Sequence, residues 1–189
     1  MKHCPACGAP THLRIPPGDN RERAVCSSCS VVHYENPRIV VGAVCHTGDR
    51  LALCRRAIPP RIGYWTFPAG FLEMGETAEE GAAREAREEA GVEVVVERLL
   101  GVYSVPGRGQ VHLLYEARML GEAHEAGEES LEVVLRPWVD IPWGDLAFPS
   151  IRWGLQLALE ARDQPGWVPR MTAAAGAPDL PALPGDLQS

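Results

Sequence analysis

No run in this chain approaches the roughly 20 consecutive apolar residues of a membrane span, and cysteines stand near the N-terminus where an export signal would need an apolar core. A soluble, cytoplasmic protein with no membrane partner is expected. Positive charge is also in short supply: 18 Lys and Arg oppose 25 Asp and Glu, a net charge of -7. That balance gives no basic footprint for nucleic acid, so nucleic acid is not the expected partner. If the ligand is a phosphate compound, cations must come with it. No internal repeat is present. The length of 189 residues suits one main domain with a small satellite.

Cysteine is sparse but patterned. Four of the six form two CxxC pairs, Cys4 with Cys7 and Cys26 with Cys29, separated by 18 residues. Thiolates two residues apart can grip one metal, and two such pairs complete a tetrahedral Zn2+ site. Secretory disulfides fit poorly, because CxxC neighbours cannot bridge to hold a long loop. Four thiolates leave no open position, so the zinc would be structural. Cys45 and Cys54 lie in apolar runs and read as inert core residues.

Residues 1–33 lack the apolar content for an independent core, and "CPACG" and "CSSCS" read as the two knuckles of a zinc ribbon whose folding energy comes from the metal. Two β-rich runs follow, Ile39 to His46 and Arg50 to Arg56, joined by hairpin chemistry at Thr47-Gly48-Asp49. A Pro/Gly-punctuated connection leads to a short strand near Tyr64 to Phe67. Val92 to Val105 and Gln110 to Met119 alternate as two more strands around "PGRG", and "LEVVLRPWVD" gives another. Ile151, Leu155, Ala158 and Leu159 fall at helical spacing within Phe148 to Arg162. The tail, 163–189, is rich in Pro, Ala and Gly without periodicity and is expected to be mostly disordered.

The helix between these strands carries an electrostatic conflict. Thr77 and Glu80 form a capping box, Gly91 a stop, and Ala78, Ala82, Ala86 and Ala90 a small-residue stripe that lets the helix lie close to a sheet. Glu85, Glu88 and Glu89 then crowd the last two turns, where the macrodipole disfavours acids and the carboxylates repel one another. Glu85 and Glu89 are expected half sheltered at the edge of the stripe, with Glu88 farther toward solvent. Converging carboxylates suit a hard divalent cation such as Mg2+, which removes the repulsion. A backbone loop at Gly70 and Gly75 could approach the metal or a phosphate without side-chain obstruction. A solvated helix laced with Glu-Arg pairs is the bland alternative.

The spacing of the whole stretch favours the metal. Gly70, five residues, Glu76, seven residues, then Arg84-Glu85-Ala86-Arg87-Glu88-Glu89-Ala90-Gly91-Val92 matches G-x(5)-E-x(7)-R-E-U-x-E-E-x-G-U at nine fixed positions over 23 residues. On this motif the sequence resembles the Nudix hydrolases. The resemblance implies an α/β fold, an α/β/α sandwich with a mixed sheet over residues 36–162, preceded by the small ribbon. It implies Glu85 and Glu89 as principal Mg2+ or Mn2+ ligands, with Glu88 as a further one. It also implies a Glu76–Arg84 pair locking loop to helix, and a backbone carbonyl near Ala69 and Gly70 as an additional ligand. Glu129 is the choice for a general base or extra ligand from outside the box, over Glu128 and Glu132.

The family implies cleavage of a nucleoside diphosphate linked to another group. A zinc ribbon in front resembles the NADH pyrophosphatases, but their SQPWPFPxS signature is absent and "YSVPGRGQVHLLY" stands in its place. "YENPRIVVGAV", "RAIPPRIGYWTFPAGFLEMGET" and "IPWGDLAFPS" look like bacterial relatives of the plant chloroplast FAD pyrophosphatase, a group that also splits ADP-ribose. FAD or an ADP-ribose-type substrate, giving AMP and a phosphomonoester, is thereby implied, with a homodimer as the assembly. An NADH pyrophosphatase, a NAD-capped RNA hydrolase and a non-catalytic nucleotide sensor are the alternatives. Arg55, Arg56 and Arg61 are candidates to hold phosphate, and Tyr64, Trp65, Tyr103 and Phe148 to stack on a base.

Overall fold

The computed structural model describes residues 1–172 in two compact units, Met1–Pro37 and the chain from Arg38 onward. The first unit is a three-stranded antiparallel sheet of β1 (Thr11–Arg14), β2 (Arg23–Cys26) and β3 (Val32–His33). Its buried hydrophobic residues are few, Ala24 and Val25 beside Cys4 and Cys26. So small an apolar interior cannot offset chain entropy unaided, and the cysteine cluster has to supply the difference.

The second unit is built on a mixed sheet. Its strands are β4 (Arg38–Thr47), β5 (Arg50–Arg56), β6 (Trp65–Thr66), β7 (Ala69–Phe71), β8 (Val94–Val105), β9 (Gln110–Met119), β10 (Ser130–Pro137) and β11 (Arg170–Met171). The main path runs β10-β5-β4-β9-β8-β11, with β6 on β5 and β7 on β4. β4 and β9 pair in parallel from Arg38↔Gln110 to His46↔Arg118, as do β8 and β11; the other pairs are antiparallel. Helix α1 (Ala78–Ala90) and helix α2 (Pro149–Arg162) complete the α/β/α sandwich.

Period-two alternation divides the sheet between the helices. Val41, Ala43, Cys45, Ala52 and Cys54 share one cluster with Ala82, Ala86 and Ala90 of α1. Val44, Leu51, Leu53 and Leu114 share the other with Phe67 and with Trp153, Leu155 and Ala158 of α2. The alanine stripe therefore does what its spacing implied. Cys45 and Cys54 are fully enclosed, and burial pushes both thiols far toward the neutral form, Cys45 to about 12.

Part of the expected tail is ordered. Trp167 donates from Nε1 to the Leu100 carbonyl at 3.1 Å, and Arg170–Met171 add a parallel strand to the β8 edge. An exposed edge offers free backbone groups to any nearby segment, which is why a piece without periodicity is captured there. The rest of that expectation, residues 173–189, lies outside the described residues. Among the described residues no helix is long and apolar enough to cross a membrane.

Candidate active site

α1 is defined at both ends. Thr77 Oγ1 accepts the Glu80 N–H at 3.2 Å while the Glu80 carboxylate accepts the Thr77 N–H at 2.7 Å, and Gly91 closes the helix with φ 63°. These two limits place Glu85, Glu88 and Glu89 in the final turns, beside β7.

Arg84 organises the acids around it. It grips Glu76 with two hydrogen bonds, Nε to Oε2 at 3.0 Å and Nη2 to Oε1 at 2.8 Å. Nη1 donates to Glu85 at 2.8 Å and to Glu88 at 2.9 Å, and Nη2 to the Phe71 carbonyl at 3.0 Å. Glu76 also accepts the Glu73 N–H at 2.8 Å, so the loop before α1 is fastened to the helix. The Arg84 guanidinium, with that N–H, holds the Glu76 carboxyl at about 2.

Glu85 and Glu89 lie deeper than the half-sheltered placement expected from the helix alone, at 8% and 7% exposure, whereas Glu88 is exposed. The added cover is β7. A Cβ at Gly70 would sit 2.2 Å from Glu85 Oε1, so glycine lets the backbone cross here without displacing that carboxylate. One residue earlier, the Ala69 N–H donates to Glu89 Oε2 at 2.8 Å. Burial, with Glu85 and Glu129 nearby, pushes the Glu89 carboxyl up to about 7, against the Ala69 hydrogen bond and the Arg56 charge. Burial also raises Glu85, and Arg84 opposes it.

The three box acids are not drawn into one closed cluster; among the described residues only the four cysteines bring their ligand atoms within 4.8 Å of one another. Arg84 Nη1 holds Glu85 and Glu88 together, and the Ala69 N–H holds Glu89 apart from them. The set nevertheless fits a hard divalent cation. Glu89 is a buried carboxylate with no cation in hydrogen-bond contact among the described residues, and the bare backbone at Gly70 lies directly against Glu85.

Glu129 lines the same cleft as the box acids and Glu132 does not. Glu128 and Glu129 line a cleft of about 1170 Å3 that also contains Glu85, Glu88 and Glu89, while Glu132 turns to Arg55 at 3.0 Å. The loop that carries Glu129 is tied to the carbonyl end of α1. Glu125 N–H donates to Ala90 O at 2.9 Å, and Ser130 Oγ donates to Glu89 O at 2.8 Å. A Cβ at Gly127 would fall 1.8 Å from the Glu88 carbonyl oxygen, so glycine is required for this approach.

The cleft sorts the remaining candidates. Arg56, Arg61, Tyr103 and Phe148 line it; Arg55, Tyr64, Trp65 and Gly75 do not. Trp65 is buried, and Arg55 donates to the Gly63 carbonyl at 2.9 Å. Arg108, Gln110, His112 and Ser150 were not singled out from the sequence but line the cleft. Gln110 and His112 carried one signal, polar side chains at alternate positions in the first half of β9. The His112 ring is held below its ordinary pKa by burial.

In the first unit, Sγ–Sγ distances are 3.7 Å for Cys4–Cys29, 3.4 Å for Cys7–Cys26 and 3.6 Å for Cys7–Cys29. A tetrahedral Zn2+ with bonds of about 2.3 Å needs about 3.8 Å between sulfurs. The four thiols therefore fit structural zinc with little rearrangement.

A family model described as "Nudix N-terminal" matches residues 2–35, and one described as "NUDIX domain" matches residues 36–149. The chain belongs to the Nudix hydrolase family. It is 42% identical to a Nudix hydrolase of Nitrosomonas europaea whose crystal structure superposes with a TM-score of 0.85, over 90% of this chain and 98% of that one. It is 33% identical over 103 residues to an ADP-ribose pyrophosphatase of Methanocaldococcus jannaschii, covering 52% of this chain and 61% of that protein. Against a NAD-capped RNA hydrolase of Vibrio atlanticus it is 38% identical over 104 residues, 53% of this chain and 36% of that protein. The matches thus span about three fifths or less of these two curated relatives.

Proposed function

We propose that this chain hydrolyses the diphosphate bond of a nucleoside diphosphate linked to another group, with FAD or ADP-ribose as the substrate type and AMP plus a phosphomonoester as products. The observation that carries this reading is the pair of buried carboxylates, Glu85 and Glu89, set against the bare backbone of Gly70 at the wall of a large cleft. Glu85, Glu89 and Glu88, with the Gly70 carbonyl, would hold Mg2+ or Mn2+. Bound there, a divalent ion supplies charge neutralisation at the diphosphate and acidifies water.

The chain's own residues divide the remaining work. Glu129 accepts a proton from the water that attacks phosphorus, as the P–O–P bridge breaks and the leaving phosphomonoester departs. Arg84 and Glu76 keep the loop and helix in register. Arg56 and Arg61 offer positive charge to the phosphates from within the cleft. Zinc on Cys4, Cys7, Cys26 and Cys29 is structural, and a homodimer in the cytoplasm is the proposed setting.

Product analysis over FAD, ADP-ribose, NADH, NAD-capped RNA and nucleoside triphosphates, with Mg2+ and with Mn2+, tests the substrate. AMP release from FAD or ADP-ribose is the expected result; preference for capped RNA would replace this substrate with the one named for the Vibrio relative. Glu85→Gln should lower kcat by at least about a hundredfold while the fold persists, by loss of charge at the metal. Unchanged turnover would remove Glu85 from the mechanism.

A further inference from the structure

We propose that the first turn of α2, centred on Ser150, is a phosphoryl-binding subsite in the same cleft. Four observations place it. α2 is 14 residues long and starts without a side-chain cap: Phe148 is the N-cap residue and contributes no hydrogen bond from its ring. Pro149 has no N–H to offer, and the N–H groups of Ile151 and Arg152 both return to the Phe148 carbonyl. The N–H of Ser150 is left, with no partner among the described residues.

The Ser150 side chain is the second observation. Ser150 is only 4% exposed, it lines the cleft, and its hydroxyl makes no hydrogen bond among the described residues. An enclosed hydroxyl costs free energy unless something satisfies it. The hydroxyl keeps a little contact with solvent, and Ser150 forms part of the cleft wall, so a ligand in the cleft can reach it. N–H and O–H of one residue, at the positive end of a helix, are donors suited to an anion.

Third, a cation stands beside them. The Arg56 guanidinium lies 5.1 Å from the centre of the Phe148 ring. Its Nε donates to Pro60 O at 3.0 Å and its Nη2 to Ile58 O at 3.4 Å, which leaves further N–H groups of its five unengaged among the described residues. Fourth, the charge of the same guanidinium reaches Glu89 and lowers its carboxyl pKa, so Arg56 lies within electrostatic reach of the acidic wall as well as against Phe148 at the start of α2. A diphosphate substrate reaching from the α1 acids past Arg56 would meet Ser150 with its second phosphoryl group. Naming that group as the substrate's rests on the hydrolase reading; the anion site itself does not.

The test uses the full-length, zinc-loaded protein without Mg2+ or Mn2+, titrated with inorganic phosphate at constant ionic strength and followed by amide NMR shifts. Saturable shifts are expected at Ser150 through Arg152. Ser150→Ala should weaken phosphate about tenfold, the loss of one hydrogen bond to a charged group. Ser150→Thr, which keeps the hydroxyl, should restore it. Ser150→Asp separates binding from structure, because an acid at a helix N-terminus favours the helix yet repels phosphate. It should abolish binding without lowering the melting temperature. Wild-type affinity in Ser150→Asp, or shifts that omit the start of α2, would overturn the subsite. Loss of hydrolysis on every substrate, with Ser150-dependent phosphate binding intact, would instead remove the hydrolase reading and leave the subsite standing.

Discussion

Replacing Glu89 by Gln should make the protein sturdier at alkaline pH while disabling it. The Glu89 carboxyl sits at about 7 against an ordinary 4.5 because burial disfavours its charge. A raised pKa means the folded state holds the proton more tightly than the unfolded chain. Below about 4.5 both states carry it and there is no effect. Between 4.5 and 7 the unfolded chain ionises first, so stability falls as pH rises, and above 7 the loss is complete. At about 1.4 kcal/mol per factor of ten, that distance amounts to roughly 3 kcal/mol at pH 8. Glu85 shares the strain and is relieved when its neighbour becomes neutral, and the new amide NH2 needs solvent or a partner. A gain of about 1 to 3 kcal/mol for Glu89→Gln is therefore expected at pH 8 and close to none at pH 4.5.

The assay is urea unfolding at several pH values in buffer without Mg2+ or Mn2+ and without chelator, so that zinc stays in place. The Gln amide oxygen can still accept the Ala69 N–H, which keeps the comparison clean. Adding Mg2+ at pH 8 should stabilise the wild type far more than the variant. A variant that follows the wild-type stability profile from pH 4.5 to 8, or is weaker at pH 8, would refute the account of this carboxylate.

Two further outcomes follow from the geometry. Gly70→Ala puts a methyl 2.2 Å from Glu85 Oε1, so β7 or the carboxylate must move; activity should fall at least about a hundredfold, with Mn2+ affinity measured by titration falling in parallel. Cys7→Ser should reduce bound zinc, measured by elemental analysis, and open residues 1–37 to protease, because Ala24 and Val25 are nearly all the apolar interior that unit has.

Local signals carried the helices and most strands. The Thr77–Glu80 box and Gly91 mark α1 to the residue, the β-rich run Ile39–His46 marks β4, and the alternation in Gln110–Met119 marks β9. Less legible was anything made by distant partners. β7 is three residues in a Pro/Gly-punctuated stretch, and it becomes a strand only because Val40, Val41 and Gly42 pair with it. The parallel pairing of β4 with β9, the capture of residues 170–171 on β8, and the turning of Glu132 toward Arg55 all depend on register across the sheet. The depth of Glu85 and Glu89 follows from β7, so a helical wheel drawn on α1 alone underestimates it. Ser150 gave no signal at all in the chain, being one serine at the start of an amphipathic helix.

Arg84 leaves one more consequence. A guanidinium has five N–H groups, and each of them is engaged here: two on Glu76, one each on Glu85, Glu88 and the Phe71 carbonyl. Such a hub has no vacancy for a visiting phosphate, so it works as a fixed brace. Recognition of the substrate then falls to side chains elsewhere around the cleft, and those can be exchanged in the laboratory or by descent without disturbing the brace. One half of the enzyme is thereby held constant while the other is left free to change its diet.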